Sequence, residues 1–392
     1  MNDMGHPLQH DAASLLAQAR TATGIDIDDQ AISERLTRFI DSLNREAVLS
    51  EAGARAIERG LLFLLGNRLR MERDFRQHPE IAEQAIVRPL IMTGGARTGS
   101  TKMHKMLAAG GDFRHVPSWQ ALSLAPLSEA RDEDLALRTR ATAEHLDWFN
   151  THAPLARYSH EISTFETEEE TFIQTHALYA PYIQAYVFIP SYLQWYATNI
   201  DPLDDIQLLK RGLQYLQWQF SRHETKPWIL KSPAYLGLEP QLLKVFPDAA
   251  FLTTKRDPLA MFPSSVELLT NYQRAYSDVD RRRILGPVML EGLASWAEYA
   301  VAARAAVPDH CVLDLAYDDI VRRAETVIEQ IYAFHGMELT DRARRAMRDW
   351  DREHAQHKHG GPKPDLADFG LDEATVRARF AKLLQPREAL PP

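Results

Sequence analysis

Apolar side chains recur every three to four residues through most of residues 7–85. Leu15, Leu16 and Ala19 share one helical face, Leu36, Phe39, Ile40 and Leu43 a second, and Leu61, Leu62, Leu65 and Leu69 a third. Asp11 stands where it can cap the first of these helices. The spacing predicts an N-terminal helical layer packed against the core that follows. The pattern then changes. Residues 90–92, 227–232 and 250–254 are short, nearly continuous apolar runs and read as buried strands, and 312–315 reads as one more short strand. Helical spacing returns at 130–150, 203–222, 263–276, 282–306 and near 372–384, and Tyr317 starts one more helix. Strands that alternate with long helices call for a mainly parallel sheet covered on both faces.

Composition narrows the class. With 392 residues, 45% hydrophobic and 25% charged, the chain can build a sizeable core. A net charge of −9 argues against a broad nucleic-acid surface, so any phosphate site must be a local basic pocket. The single cysteine, Cys311, excludes an internal disulfide and fits a reducing compartment. The N-terminus carries no basic-plus-apolar leader and no run approaches membrane-spanning length, so a soluble cytoplasmic protein is expected. Nothing in the pattern specifies an oligomeric state.

The chemistry begins after the first strand. PLIMTGGARTGSTKMHKML (residues 89–107) reads as strand, tight loop and helix start, a turn that aims backbone N–H groups and a helix dipole at one anion. The spacing Gly94-x-x-x-x-Gly99-Ser100-Thr101 overlays a triphosphate-binding loop, except that Ser100 stands where that motif demands lysine. Arg97 is the nearest cation. Two further strands end in cations, Lys231 and Arg256, at the sheet edge where open α/β folds bind ligands. The segment 159–172, SHEISTFETEEETF, leads into a helix dense in Tyr179, Tyr182, Tyr186, Tyr192, Trp195 and Tyr196, a candidate acceptor pocket.

With these segments in place the chain resembles the sulfotransferases that depend on 3′-phosphoadenosine 5′-phosphosulfate (PAPS), above all the large bacterial branch with an N-terminal helical extension. PLIMTGGARTGST is similar to that branch's 5′-phosphosulfate loop, which typically reads PxFxxGxPRTGTT. WILKSPAYL, FPDAAFLTTKRDPLAMFPSS and LAYDDI resemble its next blocks in order. HEISTFETEEETF resembles its acceptor-side HExxADxPEE segment, and ADFGL near the end also fits. The resemblance implies a P-loop-like, mainly parallel sheet flanked by helices. It divides the chain into a helical extension (1–88), an α/β core (89–355) with a helical acceptor insert at about 116–226, and a C-terminal loop with a short helix (356–392).

It also implies roles. Gly95, Arg97, Thr98, Gly99, Ser100 and Thr101 hold the 5′-phosphosulfate, Arg256 and Ser264 the 3′-phosphate, and Tyr317 the adenine. Lys231 reaches towards the leaving phosphate and Arg97 shares that charge. A basic C-terminal loop, here with Lys358 and Lys363, closes on the nucleotide. No metal is required, and the run His354, His357, His359 reads as a solvated tail. The expected reaction moves a sulfuryl group to a hydroxyl of a small-molecule acceptor.

The proton acceptor departs from the family pattern. The branch often has histidine at the position of Tyr235 and an acid at that of Gln120, and neither is present. His115 is a substitute base; Glu168, Glu169 and His160 are the other candidates. Two rival readings stand beside this one. A nucleoside-triphosphate kinase or hydrolase would use the loop but lacks its lysine and a clear magnesium-binding aspartate. A non-catalytic descendant would bind nucleotide or partners only.

Overall fold

The structure, a computed structural model, describes residues 5–222, 224–354 and 364–384. Its centre is the strand β1 (Leu90–Gly94), buried along its whole length. Strands β2 (Ile229–Lys231), β3 (Ala250–Lys255) and β4 (Val312–Ala316) complete a parallel sheet in the order β2-β1-β3-β4. β1 pairs on one side with β2, Met92 against Lys231, and on the other with β3, Gly94 against Thr254. The chain therefore leaves β1 between two neighbours that come later in sequence. That is a topological switch point, with a crevice at the carboxyl ends of β1 and β3.

The N-terminal layer consists of α1 (Ala12–Thr23), α2 (Gln30–Ser42) and α3 (Glu51–Gln77). Asp11 caps α1 as expected, accepting from the Ser14 N–H at 2.8 Å. The main face of this layer does not lie on the sheet. Leu15, Leu36, Phe39 and Leu65 pack with Tyr179, Tyr192, Tyr196 and Tyr276, so the layer covers the aromatic insert. A buried pair ties the two: the Arg35 guanidinium donates to Asp205 Oδ1 at 2.8 Å, and the Tyr196 hydroxyl to Asp205 Oδ2.

Two expected elements differ. The aromatic run after Phe172 is not one helix but short pieces, Thr171–Gln174, Ala180–Ile183 and Pro190–Asn199. Leu178 with φ +58°, followed by Pro181 and Pro190, interrupts the helical ladder. The helix expected from residue 263 begins at Pro258 and runs to Gln273, with Pro263 inside it. Asp257 explains the difference, because its carboxylate accepts from the Leu259 N–H at 3.0 Å and Pro258 sits at the first helical position. The C-terminal helix Glu373–Leu384 and the turn Leu366–Phe369 dock onto this helix and onto Arg282–Arg304 through Phe369, Val376, Phe380, Phe262 and Leu285. Lys358, Lys363, His357 and His359 lie outside the described residues. Among the described residues no helix is long and apolar enough to cross a membrane.

Candidate active site

The loop after β1 curls tightly. Gly94, Arg97 and Gly99 all have positive φ, at +129°, +67° and +87°. For Gly94 the reason is also steric, since a Cβ there would stand 2.3 Å from Thr254 Oγ1. The helix α4 (Ser100–Gly110) follows with Gly99 as its N-cap, and no side chain caps its first N–H groups. Those donors and the helix dipole are left for an anion. Thr98 anchors the loop from below. Its buried hydroxyl is 2.7 Å from the Gly95 carbonyl and 2.6 Å from Thr254 Oγ1, which itself donates to the Thr93 carbonyl. The Thr98 side chain is thus spent on the protein, and what this residue offers a ligand is its backbone N–H. Ser100 is buried and Thr101 half-buried at the start of α4.

Arg97, Arg256, Ser264 and Tyr317 come together across the crevice. Arg256 Nη1 donates to the Arg97 carbonyl at 2.8 Å, and Arg97 Nε donates to Ser264 Oγ at 2.8 Å. The Arg256 guanidinium lies over the Tyr317 ring, 3.9 Å from its centroid. Tyr317 also closes on the loop, because a Cβ on Gly99 would meet its Cδ2 at 3.3 Å. Burial, and then the like charge of Arg256, hold Arg97 below the ordinary arginine value. Two guanidiniums held side by side beside an uncapped helix start form a site that an anion stabilises. The crevice thus brings together residues up to 167 positions apart at a single hydrogen bond.

The second cluster surrounds the end of β2. Residues 164–168 run antiparallel beside 116–119, with the Glu168 N–H donating to the Val116 carbonyl at 3.0 Å and the Ser118 N–H to the Glu166 carbonyl at 3.1 Å. This pins three consecutive glutamates next to Lys231. Glu170 Oε2 accepts from the Lys231 backbone N–H at 3.0 Å, and Glu169 Oε1 accepts from its ammonium at 2.5 Å. Glu168 turns to His160, whose Nε2 is 2.9 and 3.0 Å from its two oxygens. Burial works against the Lys231 charge, yet Glu169 and Glu168 hold its value above the ordinary one. Burial pushes the Glu170 carboxyl up to about 7. Burial also penalises the Glu168 charge, but His160 and then Lys231 outweigh it and hold this carboxyl well below the usual range.

Between the two clusters stand tyrosines. Tyr182 and Tyr186 share a hydrogen bond of 2.7 Å, and Tyr186 stacks on Tyr272 at 5.0 Å. Tyr272 lies within electrostatic reach of Glu168, Glu169 and Arg97, which places these rings beside both charge clusters. Burial raises all three phenols well above their ordinary value, so they remain neutral walls. Tyr192 and Tyr196 pack in the core under the N-terminal layer, the former donating to the Leu178 carbonyl, and Tyr272 extends that same core towards the charge clusters. The sequence pattern did not distinguish the two sets, and Tyr272, on a helix already accounted for by its apolar face, carried no local signal.

His115 makes no hydrogen bond to either cluster among the described residues. It lines a separate cavity of about 280 Å³ with Ala108, Gly111, Gln120, Phe220 and Trp228. Ala108 and Gly111 mark the far end of α4, about 16 Å from the loop at 1.5 Å per residue over its 11 residues. Gln120 shares that cavity, and Tyr235 is wholly buried, its hydroxyl directed to Gln174 Oε1 at 3.4 Å. His354 approaches Glu166 at 3.4 Å, and the described residues contain no group of three side chains able to hold a metal ion.

Residues 89–341 match the profile of the sulfotransferase family. Over 194 residues the chain is 27% identical to the omega-hydroxy-beta-dihydromenaquinone-9 sulfotransferase Stf3 of Mycobacterium bovis and to that of Mycobacterium tuberculosis. Each match covers 48% of this chain and 47% of the relative, so the chain spans about half the length of the curated relatives it matches. The crystal structure of sulfotransferase STF1 from M. tuberculosis H37Rv superposes with a TM-score of 0.78 at 26% identity, covering 97% of this chain and 100% of that one. Sulfotransferase STF9 from Mycobacterium avium superposes at 0.79 with 23% identity, over 95% and 96%, a likeness of fold.

Proposed function

Because the chain belongs to the sulfotransferase family, we propose that it moves the sulfuryl group of PAPS to the hydroxyl of a small apolar or ring-bearing acceptor. The observation that carries the donor is the meeting of Arg97, Arg256, Ser264 and Tyr317 at the mouth of a loop without the triphosphate-binding lysine. The residues fit such a nucleotide: the loop from Gly95 to Thr101 would take the 5′-phosphosulfate, Arg256 and Ser264 the 3′-phosphate, and Tyr317 the adenine. Bound PAPS supplies an activated sulfuryl group on a phosphate that leaves as an anion.

The protein's part is positioning and charge. Arg97 and the α4 N-terminus neutralise the phosphosulfate end. Lys231, fixed through its backbone by Glu170, brings an ammonium that gains value as the leaving phosphate takes up charge. The buried tyrosines beside Glu168 and Glu169 offer flat apolar walls with few donors, which suit a ring or an alkyl chain. The curated relatives are named for a hydroxylated menaquinone, an acceptor of that kind. A cytoplasmic location is part of the same reading, and so is the division into helical extension, core with insert, and C-terminal segment.

The acceptor is tested by competition. With labelled PAPS, a phenol and a heparan-like glycan at equal concentration, label is expected chiefly on the phenol, because a polyanion meets a protein of net charge −9. Preferential labelling of the glycan would overturn the reading of the pocket. No transfer to any member of a broad phenol and alcohol panel would favour a protein that only binds the nucleotide.

A further inference from the structure

Resting on this sulfuryl-transfer reading, we propose that His160 is the base that takes the acceptor's proton, and that Glu168 is its positioning residue. The three glutamates beside Lys231 are each committed differently. Glu170 is wholly buried and holds the Lys231 backbone, Glu169 faces the Lys231 ammonium, and only Glu168 faces an imidazole. The segment that carries them cannot drift, because three backbone hydrogen bonds tie it to residues 116–119 and Lys105 bonds Glu166 at 2.6 Å.

The geometry selects the tautomer. Glu168 is ionised and accepts at both oxygens, so His160 Nε2 must carry the proton that bonds it. In the neutral form of the ring the lone pair then sits on Nδ1, for which no hydrogen bond is found among the described residues. The charged groups around the pair are Glu168, Lys231 and Lys105, with Glu169 beyond Lys231. An anion behind the ring stabilises the imidazolium that forms, and Lys231 ties the pair to the transfer centre.

The other candidates are excluded by placement. His115 and Gln120 line the cavity at the far end of α4. His104 is 1% exposed, lies 3.4 Å from both the Ile229 carbonyl and Thr167 Oγ1, and burial keeps its ring neutral. Tyr235 is closed off from any ligand at 0% exposure, whereas the His160 side chain is 14% exposed. In the step itself the acceptor O–H proton passes to His160 Nδ1 and the acceptor oxygen bonds to sulfur. The bond from sulfur to the bridging phosphate oxygen breaks, and its electron pair leaves with the phosphate of PAP (adenosine 3′,5′-bisphosphate).

The test uses two phenols, one fully ionised at the assay pH and one with an ordinary pKa of about 10. His160→Gln, which keeps a donor for Glu168, is expected to lower turnover of the second about 10²–10⁴-fold while the ionised phenol and PAP affinity change little. Glu168→Gln is expected to show the same selectivity with a smaller loss. Equal losses with both phenols, or full activity with the neutral one, would overturn the assignment. If the wild-type protein neither binds PAP nor transfers label, it is the sulfuryl-transfer reading that fails, before the variants are compared.

Discussion

Replacing Lys231 with methionine is expected to lower turnover about 10²–10³-fold while PAP affinity stays within a few-fold of wild type. The ammonium in the ground state is already satisfied by Glu169 at 2.5 Å, so it has little left to give a resting nucleotide. Its value rises as negative charge accumulates on the leaving phosphate, which is the condition for an effect on kcat and not on binding. The substitution has a structural cost as well. Lys231 and Glu169 form a largely buried pair, with side chains 3% and 14% exposed. Removing one partner of such a pair costs about 3–5 kcal/mol of stability. Lys231→Met combined with Glu169→Gln removes the stranded charge, and this double variant should recover most of the stability without recovering turnover. Thermal melts together with single-turnover rates separate the two effects. A Lys231→Met protein that turns over normally and loses only PAP affinity would make the lysine a ground-state ligand.

Arg256→Ala is expected to weaken PAP by about 1.5–3 kcal/mol, and adenosine 5′-phosphosulfate, which lacks the 3′-phosphate, by much less. The two nucleotides are needed because Arg256 has a second duty. Its Nη1 holds the Arg97 carbonyl at 2.8 Å, so its loss also loosens the loop, and that effect is common to both ligands. The difference between them isolates the 3′-phosphate. Arg256→Lys keeps a charge but gives up both the fork and the planar contact over Tyr317, so it should restore only part of the affinity. Equal losses for both nucleotides would show that Arg256 serves the loop alone.

Much of this site was legible because its parts sit at the ends of short apolar strands. Solid apolar runs at β1, β2 and β3 fix where the sheet's carboxyl edge must be, and the polar residues after them inherit that position. The grouping of Arg97 with Arg256, Ser264 and Tyr317 needed more than spacing, and came from the order of blocks resembling a known family. What stayed hidden depends on partners distant in sequence. Lys231 and Glu169 are 62 positions apart, and nothing local distinguishes Glu169 from Glu168 or Glu170. Only the local path of the chain, pinned beside residues 116–119 and turning into a helix at Glu170, sends one carboxylate to histidine, one to lysine and one to a backbone N–H.

His115 faces a different cavity for a related reason. It follows the loop helix closely in sequence, but α4 is long enough to carry the chain to its far end before His115 appears. The aromatic run misled through its period: tyrosines near helical spacing looked like one helix, whereas Leu178 and two prolines break it into short pieces. Pro263 looked like a helix start, but the Asp257-Pro258 pair five positions upstream supplies the better cap.

Calorimetric titration of the wild-type protein with PAP and with ATP–Mg separates a 3′-phosphate site from a triphosphate site. The paired arginines, the serine facing them and the loop lacking its lysine call for a nucleotide with a 3′-phosphate and no third phosphate in line. PAP is expected to bind at least tenfold more tightly, roughly 1.4 kcal/mol or more. Tighter binding of ATP–Mg would contradict a PAPS site and return the loop to the triphosphate-binding proteins it partly resembles.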